Sequence, residues 1–268
     1  MKRLAFIGAG SMAEAIFSGM IKNKFVAPDH IYVTNHSNRE RLEQLENMYG
    51  LQTFTSDKQV VQDVDIVILS MKPADIEAAI ASIKPYLTEN HLLISVAAGV
   101  EIEAIESYVG FNIPVIRTMP NTSASVGLSA TAICGGRFVT DDDLTLTEQL
   151  FQTIGITEVV AEDDIHAVTG LSGSGPAYVY YLVEAMEKAA VEVGLSQEVA
   201  TSFARQTIIG AGEMLKKSND SAKTLKENVM SPGGTTEAGI KTLQNNHFEE
   251  TISACIQRAK ERSIELGK

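Results

Sequence analysis

The sequence predicts an α/β protein in two parts: an N-terminal doubly wound sheet with helices on both faces, then an all-helical C-terminal part. Three observations predict it. Short apolar runs alternate with helical patterns through the first part. A glycine-rich turn joins the first run to the first helix. After about Glu162 the strand signals stop and only helical periodicity continues. The domains are therefore expected at 1–161 and 162–268.

The runs come in order as Arg3 to Ile7, Ile31 to Thr34, Ile66 to Leu69, Leu92 to Val96 and Pro114 to Arg117. Ala130 to Cys134 and Ile156 to Val160 are weaker candidates. Unbroken apolar runs suit strands buried on both faces. Helical stretches such as Ala13 to Lys24 and Arg39 to Met48 lie between them, which makes βαβ units and a parallel sheet. In the second part, Asp163 or Asp164 is placed to cap a helix start. Helices are expected over Ala177 to Val193, Gln197 to Lys217, Ser221 to Met230 and Phe248 to Leu266. The first of these is polar mainly along Glu184, Glu187, Lys188 and Glu192, and apolar over the rest of its circumference. Such a helix must be buried, either against a second subunit or at the centre of its own bundle.

Composition excludes several classes. Hydrophobic residues are 44% and charged residues 21% of 268, a globular balance. The net charge of -12 argues against a nucleic-acid partner, which needs a basic surface. The two cysteines, Cys134 and Cys255, have no neighbours at metal-ligand spacing, so no metal is expected and both are read as reduced thiols. The first apolar run is too short for a signal segment, and no run reaches membrane-spanning length. The expectation is a cytoplasmic protein with no membrane partner.

Gly8-Ala9-Gly10-Ser11-Met12-Ala13 follows the first strand and opens a helix, fitting G-x-G-x-x-G/A. Gly8 makes the tight turn, Gly10 lets the backbone approach a pyrophosphate, and Ala13 allows close helix–strand packing. The helix N-terminus then directs N–H groups at the phosphates. At the end of the second strand an NAD site carries an acid for the ribose. Here Asn35, His36, Ser37 and Arg39 follow Thr34, with Arg41 nearby. No carboxylate repels a 2'-phosphate and several donors can bind one, so NADPH is expected, with NADH as the second choice. The carboxyl ends of later strands carry Ser70-Met71-Lys72-Pro73, Ser95-Val96-Ala97-Ala98-Gly99 and Met119-Pro120-Asn121, where the switch-point rule places the rest of a dinucleotide; Met71, Lys72, Pro73, Ala97, Ala98 and Asn121 are the candidates among them.

Two segments of the helical part are rich in glycine: Thr169 to Tyr178 and Asn228 to Ile240. Glycine costs stability in helices, so these positions need a reason such as close packing or backbone approach to a ligand. In the second, Ser231-Pro232-Gly233-Gly234-Thr235-Thr236 precedes a helix. Its N–H groups and hydroxyls would form an anion pocket suited to a small carboxylate.

From end to end the chain resembles the pyrroline-5-carboxylate reductase family. The matching pieces are Phe6 to Ala13, Lys72-Pro73, Ser95 to Gly99, Arg117 to Thr122, Leu171 to Tyr178 and Ser231 to Thr236. The resemblance implies a Rossmann domain and a helical domain that interlocks with a second subunit, giving dimers often assembled into decamers. It implies that Ser231, Gly233, Gly234, Thr235 and Thr236 hold the substrate 1-pyrroline-5-carboxylate, with Thr236 as the catalytic residue facing the ring nitrogen. It also implies that Asn228 approaches the cofactor. Ser123, His36 and Asp57 depart from the family pattern, the last two beside the adenosine end of the cofactor.

The implied reaction is NADPH-dependent reduction of the C=N bond to give L-proline. A protonated imine is already electrophilic, so the hydride step needs no strong general acid. The β-hydroxyacid dehydrogenases are a neighbouring class with a signature resembling G-x-x-G-x-G-x-x-x-K-x-x-N. Gly170, Gly173 and Gly175 match its glycines, but Val179 and Leu182 stand at its lysine and asparagine, so the base for alcohol oxidation is missing. Two rival readings share the dinucleotide motif: a non-catalytic NADP-binding sensor, and a reductase of a homologous cyclic imine.

Overall fold

Strands whose residues are apolar on both faces need covering from both sides. In the computed structural model, which describes residues 2–35, 38–56 and 60–267, they have it. The strands are β1 Leu4–Ile7, β2 Ile31–Thr34, β3 Gln52–Phe54, β4 Ile66–Leu69, β5 Leu92–Ser95, β6 Val115–Met119, β7 Ser129–Gly135 and β8 Gly155–Val159. They form one sheet in the order β3-β2-β1-β4-β5-β6-β7-β8. The helices of this part include α1 Ser11–Lys22, α2 Arg39–Tyr49, α3 Ile76–Ile83, α4 Ile102–Val109, α5 Asp141–Gln152 and α6 Ile165–Val168. Leu4 and Phe6 point into a core with Ile16, Phe17, Leu45 and Phe151 from α1, α2 and α5. Ala5 and Ile7 point the other way, into a core with Ile80, Ile105 and Ile165 from α3, α4 and α6. Burying one such Ile or Phe side chain contributes about 1.5–3 kcal/mol, more than the ~1 kcal/mol net of a single hydrogen bond. The two cores therefore hold the sheet, and the turns ride on it.

The sheet departs from the sequence reading in two places. β3 carries no apolar run; it pairs parallel to β2 at the outer edge, where one polar face is tolerated. β7 runs antiparallel to β6, and β8 runs parallel to β7. The segment between β6 and β7 holds only the turn Thr122–Val126, too short for the crossover a parallel pair requires.

Contacts divide the chain into residues 1–174 with 257–268, and residues 175–256. The strands end with β8, yet Glu162 to Ser174 remain with the sheet for identifiable reasons. Glu162 Oε1 accepts from the buried Arg117 at 3.0 Å and from the Ile102 N–H at 2.7 Å. His166 Nδ1 and Ser263 Oγ are 2.9 Å apart. Gly173 lacks the Cβ that would lie 2.7 Å from the Met119 methyl, so one glycine of the first rich segment serves close packing. Asp164 occupies the position before α6 but makes no side-chain cap, contrary to expectation.

Residues 175–256 hold α7 Gly175–Glu192, α8 Gln197–Lys217, α9 Ala222–Asn228, α10 Thr235–Asn245 and the first part of α11 Phe248–Leu266. Among them only Ala200 and Ala204 are buried. The apolar helix α7 buries none of its residues within the chain: Tyr180 is 65% exposed, Tyr181 73%, and Val193 just beyond it 83%. The covering that its composition demands is not supplied by its own bundle. Cys134 is buried, Cys255 is half-buried, and both are free. Among the described residues no helix is long and apolar enough to cross a membrane.

Candidate functional site

The turn between β1 and α1 is shaped by what a side chain could not do there. Gly8 has φ +113°, and a Cβ on it would lie 2.7 Å from the Ser70 carbonyl oxygen. The Gly8 N–H donates to Thr34 at 3.1 Å, and Ser70 Oγ donates to the carbonyls of Ile7 and Gly8 at 3.1 and 3.0 Å. The turn is thus laced to the ends of β2 and β4. Gly10 differs: among the described residues a Cβ on it would meet nothing within 4 Å, so its side toward them is open. The space there is a cleft of about 840 Å³.

Gly8, Ala9, Gly10, Ser11, Met12, Asn35, Met71 and Lys72 all line this cleft. Thr34 and Ser70, at the strand ends the sequence reading pointed to, join them, as do Asp75 and, from α3, Ala78, Ala79 and Ser82, which it did not single out. Ser70 stands at a strand end, where the switch-point rule looks; Asp75 and the α3 residues carry no such signal. The remaining expected residues lie otherwise. Pro73 opens the turn Pro73–Asp75. Ala97 is buried in the core on the α3, α4 side, while Ala98 is half-buried. The side chain of Asn121 is engaged within the fold. Its Oδ1 accepts from the Ser123 N–H at 3.0 Å, and its Nδ2 lies 3.2 Å from both oxygens of Ser172.

The loop after β2 is organised by two asparagines. Asn35 Oδ1 accepts from the Asn38 N–H at 3.0 Å, and Asn38 Oδ1 caps α2 by accepting from the Arg41 N–H at 2.9 Å. His36, Ser37 and Asp57 lie outside the described residues. Arg39 is exposed, its guanidinium 3.5 Å from Glu43 one turn on. Arg41 turns back toward the glycine-rich turn, where its Nε donates to the Ala9 carbonyl at 3.2 Å and Nη2 bonds Glu14.

Asn228 ends α9. In the turn before α10, Gly233 has φ +72°, a conformation that favours glycine. Gly234 is the N-cap, and its N–H donates to the Ser231 carbonyl at 2.8 Å. Thr235 and Thr236 open the helix, with Thr236 half-buried and Ser231, Gly233 and Thr235 exposed. One feature was missed although it is local. The Gly233 N–H donates to Glu237 Oε2 at 2.6 Å, and Lys241 holds the other carboxylate oxygen at 2.8 Å. The bonds from Lys241 and from the Gly233 N–H hold the Glu237 carboxyl below its ordinary value. The turn therefore binds a carboxylate, and it is one of the chain's own. An acid at the third helical position is the sequence signal for a back-bond to the N-cap N–H; here it reaches one residue further, to Gly233.

Residues 162–266 match the family model described as pyrroline-5-carboxylate reductase dimerisation, and residues 3–99 the one described as NADP oxidoreductase coenzyme F420-dependent. The chain is 44% identical to pyrroline-5-carboxylate reductase 2 of Bacillus subtilis (strain 168), over 99% of this chain and 95% of that one. It is 38% identical to the pyrroline-5-carboxylate reductase of Arabidopsis thaliana, over 99% and 96%. Among solved structures, a pyrroline-5-carboxylate reductase from Coxiella burnetii superposes with a TM-score of 0.94 at 36% identity, covering 100% of this chain and 99% of that one. Pyrroline carboxylate reductase of Plasmodium falciparum, solved with NADP bound, superposes with a TM-score of 0.89 at 31% identity, covering 100% and 98%.

Proposed function

This chain belongs to the pyrroline-5-carboxylate reductase family, a family of NAD(P)H oxidoreductases acting on a C=N group, and from that premise we propose that it reduces 1-pyrroline-5-carboxylate to L-proline with NADPH. The observation that carries the reading is the pairing, in one chain, of a cleft lined by the Gly8 to Met12 turn with a Ser-Pro-Gly-Gly-Thr-Thr turn whose N–H binds a carboxylate.

The cleft fits a dinucleotide: it is open on the Gly10 side, opens onto the N-terminus of α1, and has no carboxylate directly after β2. Gly8, Ala9, Gly10, Ser11 and Met12 would hold the pyrophosphate, Asn35 and Arg39 the 2'-phosphate, and Met71 and Lys72 the far side. NADPH, when bound, supplies the hydride that the imine carbon accepts. The Thr235 N–H, the Ser231 hydroxyl and the Gly233 N–H, in exchange for its bond to Glu237, would bind the substrate carboxylate, with Gly234 leaving room for its approach. The Thr236 hydroxyl would accept from the protonated ring nitrogen and so orient the ring. Because the nitrogen is protonated before reduction, no side chain has to deliver a proton in that step, and the chain's work is positioning.

On this reading residues 1–161 are the NADP domain, and residues 162–268 the dimerisation and substrate domain of a cytoplasmic enzyme. The exposure of α7 supports a homodimer that covers it, with decamers as the larger assembly to look for. The test is NADPH oxidation on adding 1-pyrroline-5-carboxylate, with NADH and the six-membered cyclic imine run in parallel. Turnover fastest with NADPH and the five-membered ring is the expected result. No turnover, or turnover of the larger ring alone, would overturn it.

A further inference from the structure

Arg41 sits in the first turn of α2, far in sequence from the glycine-rich turn, yet its side chain is spent there. Nε donates to the Ala9 carbonyl at 3.2 Å, Nη2 bonds Glu14 Oε2, and the Tyr49 hydroxyl donates to Glu14 Oε1 at 2.8 Å. The Tyr49 ring is fixed in turn, edge-on to Phe17 at 5.4 Å between centroids. Arg41 and Glu14 are each about three-quarters buried, with side-chain exposures of 25% and 26%.

Two consequences follow from elementary geometry and charge. A trans peptide directs its C=O and N–H to opposite sides. A donor clamped on the Ala9 carbonyl therefore sets the direction of the Gly10 N–H, and both residues line the cleft. Second, Glu14 lies in the first turn of α1, whose free N–H groups are the attraction for a phosphate. An unpaired carboxylate there would repel one. Burial pushes the Glu14 carboxyl up, but the bonds from Arg41 and Tyr49 and the charge of Arg41 outweigh it, so Glu14 is held below its ordinary value and stays ionised. A guanidinium can serve both acceptors at once because its donors form a rigid planar fork, which a lysine lacks.

We infer that Arg41 is a positioning residue for the pyrophosphate: it orients the Ala9–Gly10 peptide and cancels the charge of Glu14, and it leaves the 2'-phosphate to Arg39. This rests on the dinucleotide reading of the cleft but not on the identity of the imine. Arg39 is suited to the other task, its side chain being 82% exposed with Glu43 at 3.5 Å as its partner among the described residues.

The experiment is a titration of the full chain with NADPH and with NADH, followed by nicotinamide fluorescence, for Arg41→Lys and Arg39→Gln. Arg41→Lys should weaken both nucleotides by the same factor, about tenfold. It should leave the NADPH-to-NADH ratio and kcat at saturating cofactor unchanged, with at most a small fall in thermal midpoint from the lost bond. Arg39→Gln should weaken NADPH alone. Unchanged binding in Arg41→Lys would overturn the inference, and so would a loss confined to NADPH, which would make Arg41 a 2'-phosphate ligand. A fall in thermal midpoint with a matching fall in kcat would assign Arg41 to general stability and overturn it too. Binding of both nucleotides without imine turnover would sink the proposed activity and leave this inference standing; binding of neither would sink both.

Discussion

The two glycine-bearing turns of this chain, both proposed to offer backbone N–H groups to anions, are held in different ways. The Gly8 to Ala13 turn is clamped from outside: Thr34, Ser70 and Arg41 reach it from three other elements, and a Cβ at Gly8 has nowhere to go. The Ser231 to Thr236 turn is held by its own neighbours, the Ser231 carbonyl and Glu237, and a Cβ at Gly233 would meet nothing. A site clamped by a sheet is rigid and fails as a whole when its backbone is disturbed. A site held by local bonds can be tuned one side chain at a time.

The comparison breaks most visibly at Gly8. Gly8→Ala forces an L side chain to positive φ and against the Ser70 carbonyl, costing about 1–3 kcal/mol in strain alone. We expect NADPH affinity to fall by about ten- to a hundredfold, with a lowered thermal midpoint; near-normal binding would show that the turn is less rigid than its bonds imply. At the other turn the largest effect is expected from Thr236→Ala. A lost buried hydrogen bond should lower kcat/KM for the pyrroline carboxylate by about ten- to a hundredfold while NADPH affinity stays unchanged. Steady-state kinetics beside a binding titration separate the two.

A smaller effect sharpens the cofactor side. Asn35→Asp places a carboxylate at the end of β2, on the wall of the cleft, and should shift the NADPH-to-NADH preference about tenfold toward NADH. An unchanged ratio would move the 2'-phosphate elsewhere. The smallest concerns Glu237, whose carboxylate occupies the Gly233 N–H that a substrate carboxylate would use. Glu237→Gln weakens that competitor, so KM for the substrate should fall about threefold; a rise would make Glu237 a clamp that the turn needs. Its pKa is depressed in the folded chain. The stabilisation it gives is therefore present above the ordinary carboxylate value and lost as pH falls through the lowered one. The KM ratio of the two proteins should accordingly stay flat between about pH 6 and 9.

What the sequence by itself determined was whatever is written in local pattern. The apolar runs of β1, β2, β4, β5 and β6 are legible because both faces are covered, and the glycine-rich turn because φ at Gly8 excludes other residues. The helix opening at Thr235 is legible because Ser-Pro-Gly-Gly ends one pattern and starts another. The Glu237 back-bond was within reach of the same logic. Tertiary structure alone decided the rest. β3 joins the sheet without an apolar run because an edge needs only one covered neighbour, and the direction of β7 followed from the length of its connection. The clamp from Arg41 to Ala9 spans 32 residues and the bond from Asn121 to Ser172 spans 51. No periodicity encodes such bonds, because their geometry exists only once the sheet has brought distant segments together.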